Sequence, residues 1–423
     1  MDTDTSLRTP EFHCRNPGKA RKLFEIVILD QGREKFDRLS SVSAPSCHMV
    51  ILGTWVYSCD LARNLLRVCS MRLTTKSSMV AMGLLALGGL PQAAHACATC
   101  GCTLSTDAAT GYSTTSGWRM NVDFTYIDQN QLRHGSSKAS PAQVVNQPAD
   151  PLLGGAEIEK GTANRYINLS IAYRFNANWG VSFIAPYVLR DHATYGTQLQ
   201  PYTLSETAPD QISGAHVAGI GDAKVLASYQ GFLPTHNLGV QFGVKLPTGH
   251  YGGQTSDGTF VGHPTTFNTG PSLGQSLDTS LQAGTSSTDL IVGGYYYQPV
   301  SQNFDAFVNG QFQAAVSEKL DMSGANYRPG NLASMSVGVR YEAHANWVPQ
   351  VQINWFHKSA DQGVLADRPD TAGTVAYLSP GISGSLSKNV QAYAFVQVPI
   401  YSHLQGYQLF PGWTGTVGIS LAL

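Results

Sequence analysis

Residues 119–126 read RMNVDFTY. In an extended chain successive side chains point to opposite faces. Met120, Val122, Phe124 and Tyr126 therefore share one face, and Arg119, Asn121, Asp123 and Thr125 the other. A helix, with its period of about 3.6 residues, would scatter those apolar residues around its circumference. The stretch is a strand with one apolar and one polar side, and the alternation returns along the chain. Ile167, Leu169, Ile171, Tyr173 and Phe175 oppose Asn168, Ser170, Ala172 and Arg174. Val240, Phe242, Val244 and Leu246 oppose Gln241, Gly243 and Lys245; Met335, Val337, Val339 and Tyr341 oppose Ser336, Gly338, Arg340 and Glu342. Val417, Ile419, Leu421 and Leu423 close the chain against Thr416, Gly418 and Ser420.

Twelve segments carry this pattern: 116–127, 163–175, 178–189, 220–231, 237–247, 284–298, 302–317, 332–343, 346–358, 372–385, 389–401 and 411–423. They exceed the usual globular strand of about five or six residues and suit a tilted bilayer crossing of about nine to eleven. The links between them alternate in length. Those at 128–162, 190–219, 248–283, 318–331, 359–371 and 402–410 are longer than the turns at 176–177, 232–236, 299–301, 344–345 and 386–388. A soluble sandwich gives no reason for length to follow parity. A membrane barrel does, with short turns at the periplasmic rim and longer loops outside. The sequence therefore predicts an all-β fold: a transmembrane up-and-down antiparallel β-barrel of about 12 strands across residues 116–423, in the outer membrane of a Gram-negative bacterium. Lipid satisfies no backbone N–H or C=O, so such a sheet must close.

Composition agrees. Charged residues make up 13% of the chain, against about 25% in soluble proteins. No apolar run reaches the 18 or so residues of a membrane-spanning helix. Of 27 basic and 28 acidic residues, 12 and 8 precede Cys97, so the net charge of −1 hides a balance of −5 beyond it. Basic patches interleaved with aromatics are absent from that later part, which argues against nucleic acid as a partner.

Residues 71–96 read as an export signal: Arg72 and Lys76, the apolar stretch Met79 to Leu90, then the small-residue cleavage site Ala94-His95-Ala96. Residues 1–70 stand before it with four cysteines and no clear periodicity. They are expected to be a start-site artefact or a disordered extension. Residues 97–115 would then open the exported chain as a periplasmic segment holding Cys97, Cys100 and Cys102. Their spacing lacks the His of a haem attachment site and the four ligands of a closed zinc site. A disulfide or lipidation at Cys97 is the preferred reading, and three thiolates for a soft metal ion the alternative. No cofactor is expected.

Strand parity places Arg119, Asp123, Arg174, Asp222, Lys224, Lys245, Asp305, Arg340 and Glu342 toward the lumen, because Arg or Lys on the lipid side costs about 2–4 kcal/mol at midplane. Such charges either set selectivity or brace the interior as ion pairs. The parity of Phe356, Tyr393 and Phe395 is ambiguous. Trp118, Trp179, Tyr187, Tyr251, Trp347, Trp355, Tyr401 and Trp413 are candidates for interfacial girdles. His192, His216, His250, His263 and His357 are scattered in or near loops, and no Gly-x-Ser-x-Gly elbow accompanies them, so no catalytic site is expected.

Several short motifs carry a resemblance. They are Gly219-Ile220-Gly221-Asp222 opening the fourth segment, Lys245-Leu246-Pro247-Thr248-Gly249 closing the fifth, Leu281-Gln282-Ala283-Gly284-Thr285 at the sixth and Ser379-Pro380-Gly381 inside the tenth. In this order they resemble an outer-membrane family named for the meta-cleavage pathway of phenol degradation, distantly akin to hydrophobic-compound transporters. The resemblance implies a channel or transporter for small, aromatic or apolar solutes. The chain's end, Thr416 to Leu423, resembles the signal read by the barrel-assembly machinery, with Leu423 in place of the usual terminal aromatic. Two rivals stand beside this reading: a barrel that partners a periplasmic redox or soft-metal protein through its cysteine segment, and a non-transporting structural barrel.

Overall fold

The computed structural model describes residues 49–52, 55–58, 114–145, 158–195, 212–344 and 346–423. The expected export signal at 71–96 and Cys97, Cys100 and Cys102 lie outside the described residues. Of residues 1–70 only a small hairpin is described, Met49–Leu52 against Trp55–Ser58.

From Gly117 onward the chain is almost wholly extended. Its principal strands are β1 (Gly117–Gly135), β2 (Ile158–Arg174), β3 (Trp179–Tyr195), β4 (Ile212–Ile220), β5 (Ala223–Tyr229) and β6 (Leu238–Leu246). They continue with β7 (Ser287–Pro299), β8 (Phe304–Glu318), β9 (Leu332–Tyr341), β10 (Trp347–Lys358), β11 (Gly373–Ser385) and β12 (Val390–Ala422). Each pairs antiparallel with the next, except that β4 and β5 both pair with β3 and β5 alone goes on to β6; β12 returns to β1, so the sheet closes. β4 and β5 lie one after the other on β3, forming one stave broken at Gly221-Asp222. β12 does the reverse. Its 33 extended residues fold back at Gly406 (φ +60°), so that 391–404 pair with β11 and 404–422 with β1. The Ala422 N–H donates to the Asn389 carbonyl at 2.8 Å, which seals this hairpin at its base. Twelve staves result, as the alternation predicts.

Two expectations are corrected. The link at 402–410 is no medium loop but a tight turn, because β1 runs on to Gly135 and pairs there with residues 404–410. The wall thus rises past the alternating segment on this side, held by buried Leu132, Leu404, Leu409 and Phe410. A further strand, β4, precedes the predicted fourth segment, and Gly219-Ile220-Gly221-Asp222 sits at its junction with β5.

The outward face is apolar around the cylinder. Val337 and Ile353 are register partners on β9 and β10, 47% and 48% exposed, and they stand for many. Trp118, Trp179 and Trp347 are exposed near the short-turn rim, and Tyr187, Tyr401 and Trp413 toward the other end. Tyr251 leaves the predicted girdle: it belongs to the insert between β6 and β7, where it packs against Leu365 and its neighbours.

Hydrocarbon around this belt makes charge expensive. Ile353→Arg is expected to destabilise the barrel by about 2–4 kcal/mol, whereas Ile353→Leu stays near the natural protein. Urea titration in lipid vesicles, followed by loss of heat-modifiable migration, measures the difference.

Candidate functional site: the interior and outer mouth

Three of the short motifs, far apart in sequence, meet at the break in the fourth stave. One carboxylate oxygen of Asp222 accepts the Gly249 N–H at 3.1 Å. The other accepts the Thr285 N–H at 2.9 Å and its hydroxyl at 2.8 Å. Lys245 Nζ lies 3.3 Å from Asp222 and 3.0 Å from Asp289, and donates to the hydroxyls of Ser287 (3.0 Å) and Thr285. The Thr248 hydroxyl donates to Gly221 O at 2.8 Å and accepts the Ala223 N–H at 2.9 Å. Gly249 and Gly284 lie backbone to backbone, and a Cβ on Gly249 would meet the Gly284 Cα at 2.7 Å. Asp222, Lys245, Ser287 and Asp289 are buried, so one lysine and two aspartates clamp both ends of the insert 247–286 to the wall.

From the clamp the insert folds across the outer mouth. Phe267, Leu277 and Leu281 bury themselves against Ala215 and Val217 of β4. Arg190 of β3 donates through Nη1 to the carbonyls of Leu281 and Gln282, through Nε to Asn164 (2.5 Å) and through Nη2 to the Tyr166 hydroxyl (3.0 Å). A second segment, 359–372, comes in between β10 and β11. It is pinned by Asp361, which takes Lys358 Nζ at 3.0 Å, the Tyr327 hydroxyl at 2.9 Å and the Gly330 N–H at 2.9 Å. Leu365 and Ala366 of this loop pack with Leu320, Ala325 and Tyr327, and with Tyr251 and Val261 of the insert. The two segments thus meet over the barrel.

A cleft remains between them and the wall, lined by Gln129, Glu159, Thr162, Asp278, Asp367, Asp370 and Gln408 among others. Its charged lining residues are all acidic. Asp370 accepts the Tyr407 N–H at 2.7 Å, and burial pushes its carboxyl up to about 6. On the opposite side of the same turn, His134 of β1 contacts Gly406 O at 2.8 Å through Nδ1 and stacks on Tyr407.

The predicted lumen charges separate into groups. Asp222 and Lys245 form the clamp, and Lys224 stands across from Lys245 in register. Asp123 accepts hydrogen bonds from Asn168 (2.8 Å) and Asn121 (3.3 Å). Arg119 and Arg174 sit toward the short-turn rim, as do Asp305 and its register partner Arg340. Arg340 Nε is 3.0 Å from Glu342, which is exposed in the turn beyond β9. Alternation also carried the signal for Asp289 and Lys358, opposite Leu290 and His357 in their strands, yet neither stood out. Arg190 lay one residue past the predicted end of its segment.

The interior has two unlike arcs. β1 to β7 carry the buried or half-buried charges Arg119, Asp123, Arg190, Lys224, Lys245 and Asp289. The inward positions of β8 to β11 and the first arm of β12 carry none between Arg340 near one rim and Lys358 near the other. Amides, hydroxyls and rings occupy that arc. Phe356, Tyr377 and Phe395, no more than 3% exposed, point in, as do Phe307 and Tyr393. His192 is buried against Thr162 (2.8 Å) and His216 pairs with Asp191 (2.6 Å), while His357 is exposed and stacks on Trp355. Among the described residues no three potential metal ligands stand together.

The family described as "Putative MetA-pathway of phenol degradation" matches residues 160–403. No curated protein matches the chain by sequence. Among solved structures, an outer membrane channel from Pseudomonas putida F1 is similar at a TM-score of 0.51 and 9% identity, over 76% of this chain and 100% of that one. The β domain of the Bordetella autotransporter BrkA reaches 0.39 at 12% identity, over 73% of this chain and 100% of that one. The Ralstonia pickettii toluene transporter TbuX reaches 0.34 at 12% identity, over 73% of this chain and 90% of that one. The first of these likenesses, at 9% identity, is one of fold.

Lys245→Met strands two buried carboxylates and is expected to cost about 3–5 kcal/mol, whereas the triple change Asp222→Asn, Lys245→Met, Asp289→Asn removes the charges together and costs less. Urea midpoints at one pH compare them. Asp370 has its folded pKa raised from 3.8 to about 6. Its contribution to docking is therefore complete below 3.8 and lost as pH rises through about 6. Protease cleavage within 359–372 should rise across that window, and Asp370→Asn, which keeps an oxygen for the Tyr407 N–H, should flatten the rise.

Proposed function

Since the chain belongs to this phenol-degradation family and lies in the outer membrane as a closed β-barrel, we propose that it is a channel or transporter for small solutes, with aromatic and apolar compounds as its preferred cargo. The uncharged arc of β8 to β12 carries this reading. An apolar solute crossing beside Phe356, Tyr377 and Phe395 strips no charge of its water, and rings offer it stacking surface. Ions find no opposite charge on that side.

In this reading solutes enter through the cleft between the insert and the loop 359–372, whose carboxylates hold back anions. Arg119, Asp123, Arg174, Asp305, Arg340 and Glu342 influence charge selection toward the periplasmic exit, while Asp222 and Lys245 act through the insert they hold and Lys224 lies beside them. Outer-membrane lipid covers the apolar belt, and the closing strand serves as the mark read by the barrel-assembly machinery. No catalytic step is assigned.

Uptake of labelled solutes into proteoliposomes tests the proposal. Aromatic compounds should enter several-fold faster than into protein-free vesicles, and sugars of similar size should gain little. If no solute class is accelerated, the reading falls and the structural barrel stands instead.

A further inference from the structure

At the short-turn rim of the charged arc, two inward arginines stand near one another and unmatched. Arg119 of β1 has Ala172 as its register partner on β2, and Arg174 stands two residues on along β2, on the same inner face. That diagonal sets their Cβ atoms about 7 Å apart, so one small ligand can lie between the two heads. Neither guanidinium has a hydrogen bond or an ion pair among the described residues. Arg174 Nη1 is also sealed from solvent with nothing to donate to. Buried donors in folded proteins are nearly always paired, and leaving a charged one unpaired costs more than leaving a neutral one. The acids nearby are committed elsewhere. Asp123, four residues inward from Arg119 and about 13 Å along the strand, accepts from Asn168 and Asn121. Glu342 pairs with Arg340 at 3.0 Å, and Asp305 is the register partner of Arg340.

The wall beside them is low. From Arg119 the register runs through Ala172 to Ser182, and from Arg174 through Gly180 to Ser228. These four residues share the inner face and carry at most a hydroxymethyl group, so they leave a shallow basin where longer side chains would fill the lumen. A Cβ on Gly180 would stand 3.7 Å from the guanidinium carbon of Arg174 and 3.0 Å from the Ser228 hydroxyl, so the charged head leans over that bare position. On the far side of the basin Tyr297 of β7 is close enough for its hydroxyl to feel the charges of both Arg174 and Asp305. We infer that Arg119 and Arg174, over the floor of Ala172, Gly180, Ser182 and Ser228, form a subsite for the carboxylate group of small organic acids that reach it from the periplasm.

The chemistry selects that class. A guanidinium is a planar fork of N–H donors that matches the two oxygens of a carboxylate, and bonds between ionised partners are the stronger kind. The serine hydroxyls add neutral donors. An uncharged amide of the same shape gains no charge-assisted bond. A phosphate dianion carries a second charge toward Asp305, so a single charge fits better. At the other end of the barrel the charged residues lining the cleft are all acidic and repel the same ligands, so the subsite fills from the periplasmic side. The inference goes beyond the passage of neutral aromatic solutes and does not depend on it.

Phenylglyoxal labelling of the full chain in detergent micelles, read arginine by arginine in a mass spectrometer, is the test, with butyrate, butyramide and inorganic phosphate as probes. At low ionic strength butyrate is expected to slow the labelling of Arg119 and Arg174 together several-fold. Arg165, paired with Asp191 on the outer surface, should label as before. Butyramide should need about tenfold or more the concentration for equal protection, and phosphate should protect less than butyrate. Arg119→Gln should remove the protection of Arg174, and Arg174→Gln that of Arg119. Heat-modifiable migration confirms that each variant keeps its barrel, and the comparison of probes on the natural chain carries the test if neither does. No protection, equal protection by butyrate and butyramide, or equal slowing at Arg165 overturns the subsite. Stronger protection by phosphate overturns its assignment to carboxylates. Each of these results leaves the uptake of aromatic compounds into vesicles to stand or fall on its own measurement.

Discussion

Hydrocarbon offers nothing to a peptide N–H or C=O, and each group left unpaired there costs several kcal/mol. A chain without an apolar helix of sufficient length has one way to cross it, which is to pair every strand with two neighbours. The return of β12 to β1 meets that demand, and the remaining features of the wall depend on it. Closure forces alternation, alternation sends one set of side chains to lipid, and the other set must then fill or line a narrow interior. The outward belt and the inward amides are two consequences of a single pairing rule.

Above the bilayer that rule relaxes, and the chain adds buried charge to small apolar clusters to hold its shape. The insert 247–286 is long, polar and rich in glycine, and its apolar seat is small, formed by Phe267, Leu277 and Leu281 against β4. Lys245 with Asp222 and Asp289 fixes its two ends, and Arg190 takes the carbonyls at its inner turn. Lys358 with Asp361 does the same for the loop 359–372. Buried ion pairs add little net stability but make wrong arrangements expensive, which suits segments that must sit over a mouth in one way. The two arcs of the interior differ between the rims: charges on β1 to β7, rings and amides on β8 to β12, with the Lys358 clamp at the outer end of β10.

Much of the fold was legible because membrane strands keep a period of two over ten residues and more, and because the lengths of the links between them follow parity. What escaped lay where lipid no longer enforces the pattern. Residues 128–135 read DQNQLRHG and show no alternation, yet they extend β1 because residues 404–411 lie beside them. β4 reads ISGAHVAGI, in which His216 and Gly219 blur the faces; its pairing with β3 and with the insert makes it a strand. Asp222, Lys245 and Thr285 were visible as parts of separate motifs, but nothing in their spacing shows that they touch.

The sequence by itself determined the class of architecture, the number of staves, which rim has short turns and which face meets lipid, since all of these derive from local alternation and link length. Only the tertiary structure decided that three motifs form one clamp, that the insert and the loop 359–372 cover the mouth together, and that Phe356, Tyr377 and Phe395 face inward. The reason is physical. Facing is a property of one strand and its neighbours in the chain, whereas contact across a barrel depends on register and on where polar loops come to rest, and residues hundreds of positions apart carry no periodic trace of it.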